Sequence, residues 1–177
     1  MNAVSPVSVV RHPTRRGVYR LTTELRVPAP IDEVFPFFAD ALNLEEITPP
    51  WLNFRVLTTP PIEMRVGTLI DYKLRLHGVP VRWRTRISDW EPPHRFVDEQ
   101  LRGPYRLWRH EHTFKALGEE TLIRDQVDYR VPGGAIVHRL LVGRDVRMIF
   151  EYRHELLTNK WNRRTSSIES ESSADIR

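Results

Sequence analysis

Hydrophobic and polar residues alternate along much of the chain, which is typical of strands with one buried face. The first such segment spans residues 19–27 and ends at Pro28-Ala29-Pro30. Further segments follow, separated by short breaks rich in glycine and proline: residues 53–58, 68–77, 79–90, 95–101, 105–117 and 120–131. Connections this short join antiparallel strands, because a parallel crossover needs a dozen residues or more. The pattern predicts an antiparallel meander of about seven strands, counting the first.

A helical period replaces the alternation in two regions. After the first strand, residues 30–38 and 40–47 predict two short helices, since Pro30 suits a first helical turn and Asp40 suits an N-cap. After Pro132-Gly133-Gly134, apolar residues recur at helical spacing from residue 135 to about 161. A helix of that length, ~40 Å, is able to cross a whole sheet. The predicted fold is therefore α+β, with a curved antiparallel sheet wrapped around a long C-terminal helix.

The two ends of the chain lack a hydrophobic period. Residues 1–17 mix proline, serine, valine and arginine, which predicts a flexible arm. Residues 164–177 are rich in serine and glutamate and poor in apolar residues, which predicts a disordered tail. A length of 177 residues fits one domain. We expect that domain to span residues 18–163.

The amino-acid composition excludes several kinds of chemistry but says less about the fold. The absence of cysteine excludes disulfides, cysteine-ligated zinc and a thiol nucleophile. No apolar run approaches the ~18 residues of a membrane-spanning helix, so a soluble, cytoplasmic protein is expected. The formal net charge of +4 is modest, and DNA is not expected as a partner.

A row of arginines lies on one face of the strand predicted over residues 79–90. Arg82, Arg84 and Arg86 share that face because side chains alternate with a period of two. We interpret the row as a solvated outer face of the sheet, whose arginine stems cover apolar neighbours. An interaction protein that uses this face on RNA or the ribosome is an alternative that the small net charge disfavours.

The order of these elements resembles the START-like or polyketide cyclase/dehydrase (SRPBCC) superfamily, whose architecture is the helix-grip fold. The resemblance covers residues 19–161 and rests on three stretches: Val27 to Phe35, Trp90 to Phe96, and Gly103 to His110. It implies a START-like ligand-binding domain with a cavity between the sheet and the long helix. Family members include lipid carriers, a coenzyme Q carrier and polyketide cyclases. The resemblance thus implies a hydrophobic or amphipathic ligand, such as a lipid, quinone or polyketide-like compound, without fixing a reaction.

The alternation also assigns inward-facing residues, if the sheet wraps the helix. Tyr72 and Trp83 are expected to face the cavity, opposite the arginine row. The phase of residues 95–101 is open: inward placement of Asp98 adds a carboxylate to the site, whereas inward placement of Val97 and Leu101 gives a drier interior. The predicted ligand-binding residues are Tyr72, Leu74, Trp83, Trp108, His110, His112, Tyr129, Val146, Ile149 and Phe150.

The last two strands carry the candidate catalytic residues. A tight turn at Leu117-Gly118 predicts a register with His112 opposite Asp125 and Trp108 opposite Tyr129. An inward His112–Asp125 pair suits acid–base catalysis of cyclase, dehydratase or hydrolase type. No serine, cysteine or lysine nucleophile is evident beside the pair. We therefore favour a buried histidine satisfied by a carboxylate, and a carrier or binding protein over an enzyme.

Neither a metal site nor a cofactor is predicted. His110, His112 and Asp125 offer suitable ligand atoms. However, alternate residues on one strand stand ~6–7 Å apart, so both imidazoles reach one ion only if they converge.

Overall fold

Strands and a long C-terminal helix make up most of the chain, which the computed structural model describes over the backbone of residues 5–174 and the side chains of residues 7–163. The strands are β1 (Ser5–Arg11), β2 (Tyr19–Val27), β3 (Arg55–Val56), β4 (Leu69–Leu76), β5 (Val79–Glu91), β6 (Arg95–Arg102), β7 (Leu107–Leu117) and β8 (Glu120–Arg130). The helices are α1 (Ile31–Ala39), α2 (Asn43–Glu46), a 3₁₀ turn (Pro50–Leu52), α3 (Gly134–Val137), a π-helical turn (His138–Val142) and α4 (Gly143–Ala174).

The strands form one antiparallel sheet of eight, in the order β1-β2-β8-β7-β6-β5-β4-β3. From β3 to β8 each strand pairs with the next in the chain, as the short connections predict. The strand before the helices, β2, then pairs with β8 along its whole length. The predicted α+β helix-grip architecture is confirmed, with one strand more than predicted.

The additional strand is β1, which lies in the segment predicted to be a flexible arm. It pairs with β2, with Arg11 opposite Tyr19. Val7 is buried in the core, and its carbonyl accepts a hydrogen bond of 2.8 Å from Arg147 of α4. The prediction of a flexible arm was wrong for Ser5–Arg11. The alternation there includes only Val7 and Val9, which is too short to indicate a strand, and the segment becomes a strand by pairing with the free edge of β2. Residues 12–17 form the turn that joins β1 to β2, and residues 1–4 lie outside the described residues.

The C-terminal helix is longer than predicted. The backbone of α4 is helical to Ala174, so the segment from residue 164 does not form the disordered tail that its composition suggested. Residues 164–174 contain neither glycine nor proline to end the helix, and residues 175–177 lie outside the described residues. Among the described residues, no helix combines the length and hydropathy needed to span a membrane.

Buried side chains hold α4 on the concave face of the sheet at two places. Near its start, Val146 and Phe150 pack against β1, β2 and β8. Towards its far end, Leu157 and Trp161 pack with α1 and with the opposite ends of β2 and β8. A third group of buried side chains covers β4 and β5, where α4 contributes the half-buried Ile149. Space between sheet and helix remains in this third region.

The arginine row lies on the outer face of the sheet, as predicted. Arg82, Arg84 and Arg86 are exposed. Arg84 donates two hydrogen bonds of 2.7 Å to the carboxylate of Asp71, and Arg86 binds Glu99 over 3.1 Å. Acidic residues on neighbouring strands thus balance much of the positive charge, which weakens the case for RNA as a partner.

Candidate functional site

A cavity of about 150 Å³ lies between the concave face of the sheet and α4. Its walls come from α1, α2 and strands β4 to β7, and α4 closes it with Val146, Ile149 and Phe150. The exposed Asp40 and half-buried Asn43 also line it, which places a mouth beside the two short helices. A dry cavity of this size holds a molecule of about one aromatic ring.

Nine of the ten predicted ligand-binding residues line this cavity: Tyr72, Leu74, Trp83, Trp108, His110, His112, Val146, Ile149 and Phe150. The exception is Tyr129, which is fully buried in the neighbouring core and bonds through its hydroxyl to His138 Nε2 over 2.9 Å. Alternation assigned Tyr129 to the correct face of β8, but β8 lies where α4 covers the sheet. That the nine lining residues contact a ligand stays a prediction.

The aromatic side chains of the cavity wall pack against one another, and Thr85 provides a hydrogen-bond partner for two of them. Tyr72 stacks on Trp83 with ring centroids 5.9 Å apart, and Trp108 meets Trp83 edge-on at 5.3 Å. Thr85 Oγ1 accepts a hydrogen bond from Trp83 Nε1 over 3.1 Å and also contacts the Tyr72 hydroxyl. Burial raises the pKa of Tyr72 far above its ordinary value. The wall therefore presents neutral ring surfaces that suit an apolar or aromatic molecule.

A polar cluster of Asp98, His110, His112 and Asp125 lies at one end of this wall. The predicted register is confirmed, with His112 opposite Asp125 and Trp108 opposite Tyr129. The hydrogen bonds are crossed, however: His110 Nε2 bonds to Asp125 Oδ1 and His112 Nε2 bonds to Asp98 Oδ2, each over 3.1 Å. His112 Nδ1 lies 2.8 Å from Asp125 Oδ1, but outside the direction that a hydrogen bond requires.

Burial and neighbouring charges have opposite effects on the pKa values of His112 and Asp125 in the polar cluster. Burial and the neighbouring His112 lower the pKa of His110. For His112 the burial penalty is outweighed by contacts with Asp125 and Asp98, which raise its pKa. Burial of Asp125 is likewise outweighed by contacts with both histidines, which hold its pKa well below the usual range. The cluster therefore places at least one ionised carboxylate beside an otherwise apolar cavity.

Two charged residues of the site were not among the predicted site residues. Asp98 lines the cavity, which resolves the phase of β6 in favour of its carboxylate, while Gln100 donates a hydrogen bond of 2.7 Å to the Tyr105 carbonyl. Arg153 also lines the cavity, four residues after Ile149 and three after Phe150. That spacing places all three on one helix face and is the signal that would have identified Arg153.

Arg153 brings a positive charge to the cavity from the helix side. Its guanidinium carbon lies 5.2 Å from the centroid of the Phe150 ring. Its buried Nε has no hydrogen-bond partner, and within residues 7–163 the guanidinium makes no ion pair. A buried donor without a partner is costly, so this nitrogen is suited to an oxygen atom of a bound molecule.

The sequence matches the family described as "Polyketide cyclase / dehydrase and lipid transport" over residues 27–155, from the end of β2 through all of the cavity-lining residues of α4. The chain belongs to this family. A comparison with curated proteins finds no match.

Solved structures share the fold of this polyketide cyclase/dehydrase family member. The Zhui aromatase/cyclase from Streptomyces sp. R1128 is 19% identical with a TM-score of 0.58, covering 84% of this chain and 96% of its own. A START superfamily protein from Mycobacterium smegmatis is 14% identical with a TM-score of 0.57, covering 81% and 97%. Protein CV1439 from Chromobacterium violaceum is 15% identical with a TM-score of 0.63, covering 83% and 98%. At these identities the likeness establishes the fold.

Proposed function

We propose that this protein binds a hydrophobic or amphipathic small molecule in the cavity between the sheet and α4, as a carrier or binding protein. The observation that carries the proposal is the cavity itself, which is enclosed by aromatic and aliphatic side chains and has polar groups at defined places. This is the usual construction of a small-molecule site. The family description, which includes both cyclases and lipid transport, supports the same class of ligand.

The arrangement of side chains favours a ligand with a ring and an oxygen-bearing group. The ring faces of Tyr72, Trp83 and Trp108 suit an aromatic or quinone-like body. Arg153 and the polar cluster suit a carbonyl, hydroxyl or carboxylate oxygen. The volume of about 150 Å³ fits one ring. A second fused ring, or a longer polyketide-like or lipid tail, would therefore extend through the mouth beside Asp40.

Filling the cavity is expected to abolish ligand binding. Ile149→Trp adds bulk from α4 into the cavity, so the affinity for 2-naphthol, a fluorescent apolar probe, is expected to fall at least about tenfold. Fluorescence titration measures the affinity, and circular dichroism verifies that the variant is folded. Native mass spectrometry of wild-type protein purified without detergent is expected to show a bound apolar molecule.

The matched control adds the same side chain outside the cavity. Leu140 is 68% exposed and belongs to the π-helical turn before α4. Leu140→Trp is therefore expected to leave 2-naphthol affinity unchanged. Equal affinities for wild type and Ile149→Trp, with no co-purifying molecule, would remove the basis for a cavity-binding function.

A cyclase-, dehydratase- or hydrolase-type enzyme is the second candidate, favoured by the position of the polar cluster against the cavity wall. If His112 and Asp125 act on a reacting group, His112→Gln is expected to lower kcat on a poly-β-carbonyl test substrate at least about 100-fold. Turnover is followed by mass spectrometry, with His138→Gln as a control at a histidine that lies outside the cluster and bonds Tyr129. Binding of 2-naphthol is expected to persist in His112→Gln. Parallel loss of binding and turnover would instead favour a carrier.

A further inference from the structure

The two imidazoles of the polar cluster converge. Neighbours on one strand face ordinarily stand ~6–7 Å apart, but the ring centroids of His110 and His112 are 3.7 Å apart. Asp98 on β6 completes a triangle, with its Oδ2 3.1 Å from His112 Nε2 and 3.5 Å from His110 Nδ1. One donor atom from each residue can be chosen so that all three lie within 4.8 Å of one another.

These separations suit a transition-metal ion. The separations of 3.1 and 3.5 Å between Asp98 Oδ2 and the two imidazole nitrogens are close to the ~3.3 Å between ligand atoms that share one tetrahedral zinc ion with bonds of ~2 Å. We propose that Asp98, His110 and His112 bind a divalent first-row transition-metal ion of the Zn²⁺ or Fe²⁺ class at the edge of the cavity. This set differs from the one considered from sequence, since Asp98 takes the place of Asp125.

Asp125 supplies the outer support that metal-binding histidines usually have. Its Oδ1 accepts a hydrogen bond of 3.1 Å from His110 Nε2 and lies 2.8 Å from His112 Nδ1. One carboxylate thus lies behind both rings and turns the other nitrogen of each ring towards Asp98. Carboxylates in this position fix the ring orientation of metal-ligating histidines and strengthen binding.

The donor set and its charge select the class of ion. Mixed imidazole and carboxylate donors suit zinc and iron, whereas Ca²⁺ and Mg²⁺ favour oxygen donors. Asp98 and Asp125 bring two carboxylates beside an apolar cavity, and a divalent cation neutralises that charge.

A bound ion would also define the ligand more closely. This step rests on the proposed function: three protein ligands leave a coordination position that faces the cavity, where a carbonyl, phenolate or carboxylate oxygen of the apolar ligand would bind. His112 would then be a metal ligand instead of a proton donor.

Metal binding is tested with Co²⁺ and Zn²⁺ alone. Protein dialysed against EDTA and then freed of it is expected to bind one Co²⁺ per chain, with visible absorption bands, and one Zn²⁺ by calorimetry. Asp98→Asn removes a ligand at nearly constant volume and is expected to weaken Co²⁺ binding at least about 100-fold, whereas Asp125→Asn is expected to weaken it about 10- to 100-fold. His138→Gln alters a histidine that contacts Tyr129, outside the cluster, and is expected to bind as wild type does.

Binding of 2-naphthol by the apoprotein in EDTA separates this proposal from the previous one. Absence of stoichiometric Co²⁺ and Zn²⁺ binding, or equal Co²⁺ affinity in Asp98→Asn and wild type, overturns the metal site even when 2-naphthol binds. If 2-naphthol does not bind but Co²⁺ does, the proposed function is contradicted and the metal site is supported. Circular dichroism confirms that each variant is folded.

Discussion

Replacing Asp125 with alanine is expected to lower the free energy of unfolding by about 3–5 kcal/mol, because it leaves two buried imidazoles without their shared carboxylate. Asp125 is 6% exposed, and His110 and His112 are each 4% exposed. Asp125 also bonds His110 over 3.1 Å. Urea denaturation at pH 7 in EDTA, followed by circular dichroism, measures the change without a contribution from bound metal.

The matched control is Asp71→Ala on the outer face of the sheet. Its carboxylate accepts two hydrogen bonds of 2.7 Å from Arg84, but the pair is largely exposed, so solvent screens its contribution. A much smaller loss of stability is therefore expected. If both variants lost the same free energy, the polar cluster would contribute no more to folding than a surface ion pair.

The pairing of Asp125 with His112 could be predicted because the two residues lie on strands that are adjacent in the sequence. Strands β7 and β8 are joined by the two residues Gly118 and Glu119, and a turn this short fixes the register of every pair above it. His112 and Asp125 therefore face each other wherever the rest of the sheet lies. Alternation then predicts the dry and wet faces of β4 and β5, which the structure confirms.

Asp98 was not assigned because both faces of β6 carry apolar as well as polar residues, which leaves the phase of the strand open. Phe96 and Val97 are both buried although they are adjacent in the chain and pair in regular register with His112 and Glu111 of β7. Burial therefore extends to both faces of β6, and hydrophobicity alone does not identify the face that carries Asp98. The partners of Asp98 lie on β7, and the sequence near Asp98 contains no signal for them.

The surroundings of Tyr129 and the strand β1 were also predicted wrongly, because both depend on elements that are distant in the sequence. Tyr129 faces the concave side as predicted but is covered by the helical segment that contributes His138. The strand β1 exists because β2 offers an edge and Arg147 of α4 binds its backbone. Both features follow from where α4 crosses the sheet, which hydrophobic periodicity does not specify.

Replacing Trp161 with alanine is expected to lower the free energy of unfolding by about 3–5 kcal/mol, since the cavity left by a buried aromatic side chain closes only in part. Trp161 is 1% exposed and meets Phe37 edge-on with centroids 5.2 Å apart, and it stacks on Phe38 at 6.2 Å. Urea denaturation followed by circular dichroism measures the loss.

The same substitution links stability to the binding site. Phe37 and Phe38 also line the cavity, so Trp161 supports the α1 wall from behind, and 2-naphthol affinity is expected to fall together with stability. Trp51→Ala removes a tryptophan that is 54% exposed and touches Tyr152, so it is expected to change stability by about 0.5 kcal/mol or less. Equal stabilities for the two variants would mean that the far end of α4 is not anchored on α1. In that case the cavity would lack a fixed wall on that side, and a ligand would have to order it.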